Sequence, residues 1–217
     1  SEEYRAYLVE RHAKVREHLL RSAHDAAPEP SGKPEVRLAE YDPEAETKMV
    51  AAIIYPELHL SWESALARAR KMSTDEKREI FRRYLHGRKA RWHKVGRAFE
   101  NSYLRFDITM NIGAYRDLHR HRMHTQERQH FSCHHGYDVP AELVDAKLAA
   151  PFEEALTRAA GLFEKLEKHD HLLAQYVVPL AYRMRFYQWQ NFRQFFWESE
   201  LRTISQGHPD YRAIEQE

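Results

Sequence analysis

At 217 residues the chain has length for one large domain, or one domain with an extension, and its 42% apolar share can build a core. Lysine plus arginine (34) and aspartate plus glutamate (33) nearly cancel, so no global field draws the chain to nucleic acid or to an anionic membrane. The longest apolar run, residues 49–54, is far short of a membrane span, no secretory signal is visible, and the single Cys133 rules out an internal disulfide and fits a reducing, cytoplasmic compartment.

Residues 3–24 read as an amphipathic helix with Tyr4, Tyr7, Leu8, Val15, Leu19 and Leu20 on one stripe. A Pro/Ser/Gly stretch, 28–34, follows, so the chain divides into a helical extension (1–27), a linker (28–35) and a main domain (36–217). The opening Ser-Glu-Glu, without Met, fits a piece of a longer protein. Residues 36–41 read as a short strand, and Pro43 opens a helix that ends near Tyr55-Pro56. Residues 61–71 and 74–85 are expected helices, the second capped by Ser73. A basic loop, 87–96, carries Trp92 and His93. Residues 103–112 alternate strictly, with Leu104, Phe106, Ile108, Met110 and Ile112 on one face, which is the pattern of a half-buried strand.

A helix-like stretch, 115–124, comes next and ends in Arg120, His121 and Arg122. Nothing in folding requires cations there. Guanidinium groups suit phosphates and planar acceptors, and histidine titrates near neutrality, so the triplet suggests an anionic ligand beside a titratable ring; a solvated basic face is the plain alternative. A polar loop, 130–138, follows. Residues 151–168 form a clear helical pattern, 171–178 a helix stopped by Pro179, 180–188 a second alternating strand, and 191–201 a helix capped by Asn191. Helices between separated strands give an α+β fold around a small, mostly antiparallel sheet with flanking helices. The seven glycines never approach GxGxxG or phosphate-loop spacing, so a nucleotide would be held by side chains and helix ends.

Phe99-Glu100, the alternating strand and Arg120-His121-Arg122 together resemble the flavin-dependent thymidylate synthases, the ThyX family. A second block agrees: Val178-Pro179-Leu180, then Arg185-Phe186-Tyr187, then Asn191-Phe192-Arg193, with Arg202 nine residues beyond. The resemblance covers roughly residues 36–214. It implies a ThyX-like fold, FAD as cofactor, and reductive methylation of dUMP to dTMP, with NADPH and methylenetetrahydrofolate as co-substrates. It also implies a homotetramer with active sites between subunits. By this resemblance Glu100, Arg120, His121, Arg122, Asn191 and Arg193 contact FAD, Thr125, Glu127 and Arg128 lie in the substrate block, and Arg202 binds dUMP and is the catalytic arginine.

The departures fall on the nucleotide side. Thr125 replaces the motif serine; Glu127 and Arg128 stand at the family's Asn-Glu; His130, Ser132 and Cys133 stand at its Ser, Arg and Tyr. Asp117 replaces a substrate glutamine and Gln175 a substrate arginine. A catalytically degenerate domain with a structural or oligomerisation role is therefore a competing expectation. A nucleic-acid-binding domain using Arg88, Lys89, Arg91 and Trp92 is another, disfavoured by the neutral net charge. Plainer roles compete for single residues: Glu100 as a salt-bridge partner of Arg97, Asn191 as a cap, Arg193 as a surface residue. His130, His134, His135 and Cys133 lack a CxxC or HExxH frame, so no metal site is expected, and Cys133 is expected to be an incidental thiol.

Overall fold

The computed structural model describes residues 1–21 and 32–217. Helix α1 (Glu2–Arg21) comes first, and Tyr4, Tyr7, Val15 and Leu19 of its apolar stripe are exposed. The expected end of that helix at His24, and residues 28–31 of the expected linker, lie outside the described residues. Strand β1 (Glu35–Tyr41) leads to α2 (Ala45–Leu58), which carries Pro56 in its last turn. Helices α3 (Trp62–Lys71) and α4 (Thr74–Tyr84) start at serines: Ser61 accepts from the Ser64 amide, and Ser73 and Glu76 form a full capping box. A 3-10 turn (Arg97–Glu100), strand β2 (Leu104–Asn111) and helix α5 (Ile112–Leu118) follow.

The junction of β2 and α5 is built by Asn111. Its Oδ1 accepts from the Ala114 amide at 2.8 Å, while its Nδ2 donates to Asp210 at 2.7 Å and Asp138 at 3.0 Å. The expected helix 115–124 is corrected here: α5 begins earlier and stops at Leu118, and the chain then turns through a His121 N–H to Leu118 C=O bond. Residues 125–128 are needed as a strand, β3 (Thr125–Arg128), and sheet pairing overrides the helical pattern. The rest runs α6 (Ala141–Asp145), α7 (Ala149–Glu167), α8 (His171–Ala174) with a 3-10 turn (Gln175–Val177), β4 (Arg183–Gln190), α9 (Phe192–Arg202) and α10 (Pro209–Gln216). The strand expected from 180 begins at Arg183, and α10 is an element the periodicity reading did not register.

The four strands lie in the order β1-β2-β4-β3, each neighbouring pair antiparallel, so the fold is α+β as expected. One sheet face is the core. Ile108, Met110, Met184 and Phe186 are buried there against Leu118, Leu156, Tyr211 and Ile214 of the helices. Each such side chain stabilises the fold by about 1.5–3 kcal/mol. The other face carries charge: Asp107 takes Arg185 at 2.6 Å and Arg37 at 3.3 Å, and Arg105 sits over the Tyr187 ring. The Arg185 guanidinium holds the Asp107 carboxyl below its usual range. At the core-side end of β4 the residues turn polar, with Gln188 and Gln190 buried, and this is where the site begins.

Candidate functional site

Gly96 sets the approach to the site. Its φ of 86° is open to glycine and strained for other residues, and a Cβ there would meet Tyr84 Oη at 2.2 Å. The 3-10 turn that follows is pinned by Phe99, whose ring packs on Phe196 (5.6 Å between centroids) and Phe81 (5.8 Å). Glu100 is thereby delivered to the first turn of α9, where it pairs with Arg193 and, at 3.1 Å, with Arg97. Burial pushes the Glu100 carboxyl up, and the two guanidinium groups more than offset it, leaving it below its ordinary range. Asn191 caps α9 by accepting from the Gln194 amide at 2.9 Å. The salt-bridge role weighed for Glu100 and the cap role weighed for Asn191 are thus both real, and both residues also line a pocket.

That pocket, about 220 Å³ in volume, brings Glu100, Asn191 and Arg193 together with Arg88, Arg91 and Lys94 of the basic loop. Trp197, Phe196, Val95 and Met123 supply its apolar walls. Arg88 is held by a two-pronged pair to Glu200 at 2.7 and 2.6 Å, and Lys94 lies 3.3 Å from the centre of the Trp197 ring. Four cations face two carboxylates, Glu100 and Glu200, so the pocket favours an anion with an aromatic or apolar part. The loop residues Arg88 and Arg91, set aside as a nucleic-acid signal, belong to this pocket. Their closeness in sequence to Phe99-Glu100 was the signal available; Trp197 gave none.

Next to the pocket, His121 is buried and faces α9. Arg202 donates its Nε to His121 Nε2 at 2.8 Å and its Nη2 to the Asp117 carbonyl at 2.7 Å; the Gln194 amide lies 3.2 Å from His121 Nδ1. Burial lowers the His121 pKa, the Glu198 carboxylate opposes this, and Arg202, His124 and Arg120 add to it. The ring is therefore neutral at neutral pH. Arg120 pairs with Asp117 and is mostly exposed; Arg122 is exposed and makes no hydrogen bond or ion pair among the described residues.

The expected substrate block is elsewhere. Thr125 and Glu127 lie opposite Trp189 and Tyr187 on the sheet edge, and both are exposed. Arg128 stacks 4.2 Å over Phe131 and lines a second pocket of about 620 Å³ with Gln175 and Tyr176. So the structure groups Glu100, Asn191 and Arg193 in one pocket, joins His121 to Arg202 beside it, and holds Arg128 apart. The histidines of the 130–138 loop diverge: His134 reaches Glu167 at 3.2 Å, His135 reaches Gln129 at 3.0 Å, and His130 reaches Gln175 at 3.0 Å. Among the described residues no three His, Cys, Asp or Glu side chains converge on a metal position. Burial pushes the Cys133 thiol up to about 11, which makes it a poor nucleophile at neutral pH. Among the described residues no helix is long and apolar enough to cross a membrane.

A sequence profile of the family described as "Thymidylate synthase complementing protein" matches residues 37–217. The chain belongs to that family. The chain is also similar to UPF0159 proteins of Chlamydia pneumoniae (38% identical over 186 residues, 86% of this chain and 35% of the relative) and Chlamydia muridarum (37% over 209 residues, 95% and 40%). A UPF0159 protein of Thermoplasma acidophilum is 35% identical over 185 residues, 82% of this chain and 36% of the relative. This thymidylate synthase complementing family member thus spans 35–40% of the length of these curated relatives. Its fold matches the crystal structure of a UMP/dUMP methylase PolB from Streptomyces cacaoi bound with 5-Br dUMP, with a TM-score of 0.67 over 87% of this chain and 89% of that one, at 16% identity.

Proposed function

We propose that the chain is a flavin-binding, thymidylate-synthase-like domain that binds FAD in the basic pocket and dUMP or a related nucleotide beside Arg202. One observation carries the reading: Glu100 and Arg193, 93 positions apart, meet as an ion pair in a pocket that Asn191 and three further cations line. Arg193, Arg91 and Lys94 would neutralise the pyrophosphate, and the Trp197–Met123 wall would pack an aromatic ring. Bound FAD, once reduced by NADPH, would supply the hydride that reduces the methylene transferred from the folate donor. The pocket volume of about 220 Å³ is below the range of about 300–1,000 Å³ usual for ligand sites, so the rest of the cofactor would lie against another copy of the chain, as in a homotetramer. The fixed, hydrogen-bonded Arg202 would hold the nucleotide and stabilise charge developing on the pyrimidine.

The test is a visible absorption spectrum of the purified protein after soaking with FAD and desalting. A retained flavin spectrum supports the reading; a colourless protein at all subunit concentrations overturns it. Tritium release from labelled dUMP, with FAD and a reductant, then separates a working synthase from a degenerate domain. The degenerate alternative rests on the exposed Thr125 and Glu127 and on Arg128 being held apart from the first pocket.

A further inference from the structure

Helix α9 presents Gln194, Glu198 and Arg202 at i, i+4 and i+8, one row on one face, to the 119–124 segment. Gln194 and Arg202 grip the two nitrogens of His121. Glu198, between them, is 1% exposed. Its Oε2 accepts from Gln188 Nε2 at 2.6 Å, and its Oε1 makes no hydrogen bond among the described residues. His124, three residues beyond His121, has a side chain only 2% exposed; its Nδ1 makes no hydrogen bond and lies 3.9 Å from Glu198 Oε2. A buried carboxylate with a single neutral donor is costly to maintain, and a protein that keeps one has a partner charge or a use for it. Glu198 also acts at a distance on His121 and on Glu215 of α10, which Arg202 opposes.

We propose that Glu198 is a positioning residue: its buried negative charge, acting on His124 and His121, fixes how far Arg120, Arg122 and Arg202 reach toward an anionic ligand. The arrangement fits this role. His121 and His124 are the two inward anchors of a segment whose other side chains, Arg120, Arg122 and Met123, point out, and Met123 lines the pocket. A carboxylate that draws His124 closer tightens the segment onto α9 and fixes the outward guanidinium groups. Glu198 itself does not line the pocket, so it works through others. The proposal rests on the reading of this region as an anion site.

The test is Glu198→Gln in the full chain, which preserves shape and an acceptor for Gln188 but removes the charge. His124→Gln is the second variant, which removes the other half of the pair if the first does not fold. Backbone amide and imidazole NMR of the ligand-free protein should show residues 120–124 displaced and the His121 titration moved to lower pH, since the opposing carboxylate is gone. FAD affinity should fall by about tenfold with little change in melting temperature. If the 120–124 signals and the His121 titration match wild type, the proposal is overturned whether or not flavin binds. A displaced segment in a protein whose wild type binds no FAD supports the hold of Glu198 on the segment and overturns the flavin reading instead.

Discussion

Arg202 Nε donates to His121 Nε2 at 2.8 Å, which dictates the tautomer of a buried, neutral imidazole. With Nε2 accepting, the ring proton resides on Nδ1, so the Gln194 amide, whose Nε2 stands 3.2 Å from Nδ1, must flip to present its oxygen there. The consequence is that the arginine implied to bind nucleotide is also the clamp on the histidine of the Arg-His-Arg triplet. Long-range 15N NMR should show the Nδ1–H form of His121 in wild type. Arg202→Ala should return the ring to a tautomer mixture, cost about 1–3 kcal/mol of stability through the unpaired acceptor, and abolish dUMP binding while leaving FAD binding within a few-fold. Loss of FAD binding equal to the loss of dUMP binding would contradict the division of labour between the two blocks.

The pair between Arg193 and Glu100 gives a second test, since it sits in the pocket itself. Arg193→Ala removes a pyrophosphate partner and leaves Glu100 with only the exposed Arg97 to offset its charge. A charge-assisted hydrogen bond is worth about 1.5–3 kcal/mol, so FAD affinity should fall by about tenfold or more in a spectral titration. Glu100→Gln keeps an acceptor for Arg193 and should lose less. Equal flavin affinity in Arg193→Ala and wild type would place the cofactor elsewhere.

How much of this was legible in the sequence depends on the range of the interaction. The alternation at Leu104, Ile108 and Met110 announced β2, and Ser73 announced α4, because both signals are local. The helix pattern at 115–124 misled, since the pairing of Thr125 with Trp189 and the inward turn of His121 are tertiary demands. Helix α10 had a signal, Pro209 at its start and Tyr211 and Ile214 one turn apart, that is too short to register by periodicity. The pocket residues Glu100, Asn191 and Arg193 were reached through resemblance and then found together. Glu198 was invisible: nothing in its neighbours in sequence separates it from Glu200, which is only partly buried and pairs with Arg88.

Gly96 links the loop to the pocket and is testable by stability. Gly96→Ala places a Cβ at φ 86° and 2.2 Å from Tyr84 Oη, so the turn that delivers Glu100 must shift. The expected loss is about 1–3 kcal/mol in urea unfolding, with weakened flavin binding. Adding Tyr84→Phe should recover only the contact share of that loss, because the backbone strain stays. An unchanged midpoint in Gly96→Ala would mean that the loop adjusts freely and does not fix the pocket.

Glu215 predicts how stability depends on pH. Burial, and then the Glu198 carboxylate, raise its pKa to about 8 against the pull of Arg202. A carboxyl whose folded pKa exceeds its unfolded value binds its proton more tightly in the folded state. It therefore contributes stability that is fully present below its unfolded pKa of about 4.3 and is lost as pH rises through about 8. Thermal unfolding between pH 5 and 9 should show wild type losing stability across this window. Glu215→Gln, a permanent stand-in for the protonated acid, should lose much less and exceed wild type at pH 9. If the two proteins lose stability in parallel, Glu215 is not the member of the Glu198–Glu215 pair that holds the proton in the folded state.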